Sequence, residues 1–243
     1  MSPVLLIPTE EELVCPSLWG RQGPLSENLL LPPCHKILKA TTFVSQDMGT
    51  VKRNCYNLCM NVSAIALKEW AVLTDAVGRG EQLLLLRKGG IADPGGGFQL
   101  KHREFFLYPT WEHQKAEFLR PEFRPRLKEA APPETTVPLQ VYAGVACQKE
   151  VKDLSGLARL QKYHLWSEEF VRQRKAYKPE LPLQALVLRA YKLRKPVLHP
   201  VRPEYAGCKS WVELSEEVSF EGADPVMDNK RFLAALEEIV SRL

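Results

Sequence analysis

The chain has 243 residues, of which 45% are hydrophobic and 26% charged, and its formal net charge is +4. These proportions are typical of a globular protein of one or two domains, and they exclude a disordered protein; six cysteines in 243 residues are too few for a disulfide scaffold. No apolar run approaches the roughly 18–20 residues that cross a bilayer, so we expect no membrane partner. The acidic start at Glu10, Glu11 and Glu12 is unlike a secretory signal, and we expect a cytoplasmic protein with reduced thiols.

Residues 1–59 differ from the rest of the chain. Their five basic and five acidic residues cancel, so the whole net charge of +4 lies after Met60. Neither helical nor strand periodicity is sustained before Met60. We therefore expect a poorly ordered N-terminal extension over residues 1–59, with Met60 as an alternative start of translation, and a single domain over residues 60–243.

The first elements of this domain are predicted from apolar runs and breakers. Two apolar runs, 70–77 and 82–87, flank a glycine-bearing turn and predict a β-hairpin. A third strand is predicted over 104–108, followed by a helix that Thr110 caps and that ends before Pro121. Alternating proline and charge predict an exposed loop over residues 120–138.

The second half of the chain resumes with a strand from Leu139. Asp153, Ser167 and Asp228 each precede a segment that reads as a helix, and each is a residue type that accepts from free backbone donors at a helix start. Further strands are predicted over 186–193 and 210–214. The last helix carries its apolar residues on one face. The fold class is therefore predicted as α+β, with a mixed, largely antiparallel sheet and a C-terminal amphipathic helix packed on it.

One candidate ligand site follows the second apolar run, where two cations stand beside two glycines at Arg87, Lys88, Gly89 and Gly90. Small residues let a phosphate approach backbone donors, and the cations supply charge. The same glycines could instead mark a plain turn. The segment matches neither a P-loop nor a dinucleotide fingerprint.

Catalytic candidates come from side chains that titrate or attack near neutral pH. His113 could act as acid, base or ligand with Glu112 as its partner, although neighbouring residues of a helix diverge by about 100°. His164 is a second imidazole, and the Cys208 thiol would need such an imidazole to become a nucleophile. Glu150 and Lys152 have the carboxylate–x–lysine spacing of metal-dependent nucleases, which also arises by chance. The cysteine spacings fit no standard zinc site, so no metal is predicted, and no cofactor is identified.

A basic stretch is the broadest signal. Between Phe170 and Arg202, nine Lys and Arg residues face a single acid, with Tyr177 and Tyr191 interleaved. Cations that contact phosphates and rings that stack on unpaired bases are typical of nucleic-acid binders, although charge runs are often only solvated surface. The members taken as nucleic-acid-binding candidates are Arg172, Arg174, Lys175, Arg189 and Lys192.

Several short motifs add a family resemblance. Ala66–Ala71, Gly80–Ile91, Phe106–Thr110 with His113 and Gln114, His164–Trp166 and Tyr205–Leu214 resemble, in this order, the bacterial domain-of-unknown-function 1802 family. The resemblance covers about residues 62–214 and implies no activity. It does indicate motif positions that merit attention as site residues: Arg87, Lys88, Gly89, Gly90, Tyr108, His113, His164, Trp166, Gly207, Cys208, Lys209 and Trp211.

Three hypotheses about function remain open. The leading one is a protein that binds nucleic acid or another phosphate-bearing ligand through Arg87, Lys88, Lys209 and the basic stretch, with Tyr108 and Trp211 as further ligand-binding candidates. The second is a metal-dependent phosphodiesterase or other hydrolase that uses His113 or His164. The third is a protein-interaction module without catalysis.

Overall fold

The structure is a computed structural model that describes residues 61–89, 97–128 and 135–243. Strands alternate with short helices, and a longer helix closes the chain. The strands are β1 (Val62–Trp70), β2 (Leu84–Arg87), β3 (Glu104–Thr110), β4 (Thr136–Glu150), β5 (Gln184–Pro200), β6 (Trp211–Ser219) and β7 (Asp224–Pro225). The helices are α1 (Ala71–Val77), α2 (Leu154–Ala158), α3 (Glu168–Ala176) and α4 (Asn229–Arg242), with 3₁₀ turns at Ala116–Phe118, Pro121–Arg126, Gln161–Tyr163 and Pro203–Tyr205.

The seven strands form one sheet in the order β2-β5-β4-β3-β1-β6, with β7 paired to β5. Only the β1–β3 pair is parallel among the pairs of the described residues, and the longest ladder joins β4 to β5. The predicted fold class, a mixed and largely antiparallel sheet with a C-terminal helix, is confirmed. No helix in the described part of the chain is long and apolar enough to cross a membrane.

The four helices contribute to one hydrophobic core with the sheet. Phe232, Ala235 and Ile239 of α4 are buried in a core that includes α1, Val171 of α3 and Val187 of β5. Three helix starts are as predicted, because the side chains of Asp153, Ser167 and Asp228 accept from the backbone N–H groups of Ser155, Phe170 and Arg231.

The predicted hairpin over 70–77 and 82–87 is wrong. Residues 71–77 form helix α1, and β2 pairs with β5. Five of the seven residues of α1 are buried, so both faces of the segment read as apolar. A short run of this kind has no periodicity that separates a buried helix from a buried strand.

The helix predicted after Thr110 is also wrong. His113 has a left-handed backbone with φ of 59°, and Lys115 is extended, so a single turn precedes the 3₁₀ turn at Ala116–Phe118. Thr110 still accepts a hydrogen bond at Oγ1, from the backbone N–H of Glu112 at 3.3 Å, but this bond closes a turn and starts no helix.

The proline-rich segment 120–138 is more regular than a loop. Pro121–Arg126 forms a 3₁₀ turn, and β4 begins at Thr136, whereas residues 129–134 lie outside the described residues. Residues 1–60 also lie outside them, so the predicted extension over 1–59 and the domain limits 60–243 stay predictions.

Candidate functional site

A cleft opens where β3 and β4 separate. The two strands pair only from Glu104 to Phe106 on β3, whereas the β1–β3 ladder continues to Thr110. Pro109 has no amide hydrogen and cannot extend the ladder to β4. The resulting cavity has a volume of about 340 Å³, within the range of roughly 300–1,000 Å³ that small-molecule sites occupy. Its lining comprises Lys68, Tyr108, Pro109, Thr110, Trp111, Glu112, Val137, Val201, Arg202, Tyr205 and Ala206.

Aromatic rings form much of this cleft. The Tyr108 and Tyr205 rings meet edge to face with their centroids 5.8 Å apart, and both residues are buried. The Tyr205 hydroxyl accepts from the backbone N–H of Ser215 at 2.7 Å and lies 3.2 Å from Nε2 of His199. Burial raises the pKa of Tyr108 to about 12, so its phenol is neutral at physiological pH. The floor of the cleft is therefore rigid and uncharged.

Lys68 of β1 ties the loop at 205–207 to the sheet. Its Nζ donates to the carbonyl oxygens of Tyr205 and Gly207, both at 2.9 Å, and lies 3.5 Å from Oε2 of Glu112. An ammonium group has three donors, and these contacts use all of them. Lys68 is therefore a positioning residue that fixes the cleft wall and the direction of the Glu112 carboxylate.

Two polar groups of the cleft retain unused hydrogen-bonding capacity. The indole N–H of Trp111 is buried and meets no acceptor among the described residues. Glu112 is half exposed, and its contact to Lys68 engages Oε2 but not Oε1. A ligand in the cleft could therefore donate to Oε1 of Glu112, whereas the buried N–H of Trp111 is out of its reach.

Cations lie at the rim of the cleft. Arg202 has a side chain that is 45% exposed and is 3.9 Å from Glu204, a distance at which the pair is weak. Lys209 is exposed and donates to the carbonyl of Glu204 at 2.6 Å. Cys208 is an exposed free thiol between Lys209 and the Gly207 carbonyl that Lys68 holds.

At the predicted phosphate site, which follows β2, the charged groups of Arg87 and Lys88 bond to other groups of the protein. Arg87 donates to the carbonyl of Lys68 and to Glu69, both at 2.8 Å, in a largely buried ion pair. Lys88 is 1% exposed, binds the carbonyl of Lys175, and has its pKa lowered by burial. Gly89 has φ of 95°, as a glycine turn requires, and Gly90 lies outside the described residues.

The candidates of the basic stretch differ in burial and in their partners. Arg189 is buried and donates to the carbonyl of Met227 and to Asn229, Lys175 binds the carbonyl of Val151, and Arg172 pairs with Glu169. Arg174 and Lys192 are partly exposed, on α3 and β5 respectively. The candidates thus include one buried arginine and four cations that are partly or fully exposed.

The catalytic candidates do not share one environment. His164 is 3% exposed in the helical core, whereas His113 and Cys208 are exposed. Trp211, a predicted ligand-binding residue, also lies in another environment. It packs against Phe98 and Phe105 and donates to the carbonyl of Gln99 at 3.1 Å. No group of three His, Cys, Asp or Glu residues in the described ranges is arranged to hold a metal ion.

Of the predicted ligand-binding residues, Tyr108 lines the cleft and Lys209 lies in the loop that borders it. The sequence reasoning missed Lys68, Trp111 and Tyr205 as members of one site. The sequence does carry a signal for Lys68. It stands beside Glu69 in a mainly apolar segment, and a charged side chain that becomes buried there needs a partner.

Comparisons with known proteins give a family and distant structural neighbours. The crystal structure of ASCH from Zymomonas mobilis has 12% sequence identity and a TM-score of 0.32, covering 73% of this chain and 93% of that chain. A serine-to-alanine mutant of the same ASCH protein has 12% identity and a TM-score of 0.33, covering 75% and 97%. No curated protein matches the chain. A family model matches residues 66–238, and the chain thus belongs to the family described as domain of unknown function DUF1802.

Proposed function

We propose that the protein binds single-stranded nucleic acid, with one unstacked base in the cleft between β3 and β4. The observation that carries the proposal is the cleft itself. Its lining includes the partly exposed ring of Trp111, the largely buried Tyr108 and Tyr205, and Arg202, and Lys209 lies in the adjoining loop. Base stacking on aromatic side chains contributes about 1–3 kcal/mol per base and tolerates any base. Arginine and lysine at the rim would contact the backbone phosphates on either side.

The charge of the lining favours a base over a phosphate inside the cleft. Lys68 has its three donors occupied, and Glu112 adds a negative charge within 3.5 Å of it. A phosphate placed there would meet that carboxylate and a neutral phenol. A planar base carries no net charge and gains from the rings, so it is the better occupant.

A second part of the proposal rests on the sequence: exposed cations of the basic stretch would contact further phosphates. Arg172, Arg174 and Lys192 could extend the contact along a longer strand, whereas Arg87, Lys88 and Arg189 stabilise the fold through internal bonds. A cytoplasmic location stays a prediction. The hydrolase and protein-interaction hypotheses also stay predictions, and no contact in the cleft favours either one.

Fluorescence anisotropy with labelled 12-residue RNA and DNA oligonucleotides at low salt tests the proposal. We expect binding by the wild type and a loss of about tenfold in affinity for Trp111→Ala and for Arg202→Gln, since each removes a stacking or phosphate contact. Arg79→Gln is the control, because this exposed arginine pairs with Asp75 at the end of α1, away from the cleft lining.

Thermal denaturation of each variant separates lost contacts from lost folding. Absence of binding by the wild type would reject the proposal. A larger loss for Arg172→Gln than for Arg202→Gln would move the interface from the cleft to the basic stretch.

A further inference from the structure

We propose that the outer face of the β4–β5 ribbon binds an acidic segment of a partner protein. The ribbon is the end of the longest ladder, where Thr136–Leu139 pairs with Val197–Pro200. The inference goes beyond nucleic-acid binding in the cleft and does not depend on it. It starts from apolar side chains that the fold leaves in solvent.

The ribbon extends past the neighbouring strands of the sheet. Among the described residues, β3 pairs with β4 only over residues 142–144, and β2 and β7 pair with β5 only as far as Lys192. The ribbon therefore consists of two strands alone, and one of its faces is free to meet another molecule.

The two faces of the ribbon differ in burial but not in polarity. Val137, Leu139 and His199 are buried on the inner face. Pro138 and Leu198 lie opposite each other on the outer face, where both are exposed, Leu198 to 62%. A strand with one face in solvent normally has polar residues on that face. An apolar outer face therefore indicates a surface that another molecule covers.

Exposed apolar side chains are concentrated at this ribbon. Of the four large hydrophobic side chains that are exposed in the described part of the chain, three are Val197, Leu198 and Val201, and the fourth is Tyr177. Exposed apolar residues that are scattered singly are ordinary, whereas a group of them marks an interaction site.

Charge indicates the kind of partner. Neither strand has an acidic residue over 136–149 or 184–200. Lys195 is exposed and has no acidic partner among the described residues, and Arg202 is 3.9 Å from Glu204, which is a weak pair. A protein segment that brings carboxylates to these cations and an apolar side chain to Leu198 is complementary to both features.

Other occupants fit this surface less well. A second copy of the chain would bring the same cations together, and like charges across an interface are unfavourable. Nucleic-acid bases stack on aromatic rings, whereas Pro138 and Leu198 offer none. An added β-strand needs backbone amides at the edge, and Pro196 and Pro200 have no amide hydrogen. The partner segment therefore packs on the face of the ribbon.

The positions of the cations predict a sequence pattern in the partner. Lys195 precedes Leu198 by three residues, and Arg202 follows it by four. These separations correspond to roughly 10–13 Å in an extended chain, at about 3.3 Å per residue. An extended partner segment should therefore carry one large apolar residue with Asp or Glu three or four residues away on each side.

Selection from a displayed library of random peptides tests the proposal on the full-length protein. Peptides of about 12 residues are long enough to reach both cations. We expect the selected peptides to be acidic around one large apolar residue. The most enriched peptide, made synthetically with a fluorescent label, should lose about tenfold in affinity for Leu198→Ser and for Lys195→Glu, because one variant removes the apolar contact and the other reverses a charge.

Tyr177→Ser is the matched control, because Tyr177 is also an exposed apolar residue but lies at the end of α3. It should bind the peptide as the wild type does. Thermal denaturation of each variant checks folding, and Lys195→Glu gives an independent result if Leu198→Ser unfolds.

Three results would overturn the proposal. The first is a selection that enriches no peptide over the empty support, or enriches peptides without acidic residues. The second is equal affinity of the wild type and folded Leu198→Ser or Lys195→Glu for the selected peptide. The third is that no peptide binds and Leu198→Ser instead weakens RNA binding, binding to phosphatidylserine vesicles, or self-association in sedimentation, which would assign the ribbon to that other occupant.

Discussion

His164 lies among the buried side chains that follow α2, at 3% exposure. Its Nε2 is 3.3 Å from the carbonyl of Leu157, and its Nδ1 has no hydrogen-bond partner among the described residues. Burial lowers the pKa of His164 from 6.5 to about 4, so the imidazole is neutral in the folded protein at physiological pH. The arrangement suits a packed core residue better than an acid, a base or a nucleophile partner that must exchange protons with solvent.

This burial predicts a loss of stability on acidification. Because the folded-state pKa lies below the unfolded value, the unfolded chain binds more protons between pH 6.5 and 4, and the free energy of unfolding falls as the pH falls through that window. The full loss is about 3 kcal/mol, which is the shift converted at 1.36 kcal/mol per pKa unit. Urea denaturation at several pH values measures it.

His164→Gln should flatten part of that pH dependence. Burial also lowers the pKa of His199, so a smaller slope of the same sign should remain in the variant. An unchanged slope in His164→Gln would show that this imidazole is not the titrating group.

For Arg87 and Lys88, the sequence indicates the position along a strand but not the partner of the charged group. Arg87 and Lys88 were identified as charged residues at a strand end, and that placement is right for Arg87, the last residue of β2. Whether a cation faces a ligand or an internal carbonyl depends on tertiary neighbours such as Glu69 and Lys175, which are distant in sequence. Tyr108, predicted to bind a ligand, lies in the cleft lining, and that role stays a prediction. The other lining residues come from separate segments of the chain.

At the scale of elements, α2 and α4 meet at a glycine. The Cβ of any other residue at position 156 would lie 2.1 Å from the carbonyl oxygen of Arg242 and 3.2 Å from its carbonyl carbon. Real Cβ atoms do not approach backbone this closely, so α4 must shift if Gly156 is replaced. This contact joins the end of the chain to the helical core.

Gly156→Ala should therefore destabilise the protein by about 1–3 kcal/mol, as overpacking does in other cores. The midpoint of thermal unfolding should fall by roughly 2–4 °C per kcal/mol for a domain of this size. Gly144→Ala is the matched control, since its Cβ would meet Glu104 Cγ at 3.8 Å, an ordinary contact. Equal stability of the two variants would show that α4 has room to move.

Elements with a local signal could be predicted, and those decided by distant contacts could not. The sequence predicts β5 from its alternation of apolar and polar residues, and α4 from apolar residues that fall on one face of a helix; both patterns are local. The sequence does not predict α1, because a segment that is buried on both faces lacks the apolar–polar periodicity of a helix. The turn at His113 was missed because a left-handed histidine has no composition signal, and this turn places Glu112 beside Lys68.

At the scale of the whole molecule, the count of 33 Lys and Arg residues overstates how many cations a polyanion could meet. Several basic side chains are bonded internally or paired with acids, and the cations considered at the cleft are Arg202, which lines it, and Lys209 of the adjoining loop. The cleft hypothesis and the basic-stretch hypothesis therefore differ in the number of phosphates that the protein neutralises.

Salt dependence measures that number. For single strands, the slope of log K against log salt concentration is about −0.7 per neutralised phosphate, because each contact releases bound counterions. Two rim cations predict a slope of about −1.4, whereas contact by all eight cations of the basic stretch other than Arg202 would give about −6. Anisotropy titrations of one oligonucleotide from about 25 to 200 mM salt distinguish these values, and Arg202→Gln should reduce the slope by about 0.7. A slope near −6 that Arg202→Gln leaves unchanged would contradict the cleft as the binding site and return the interface to the basic stretch.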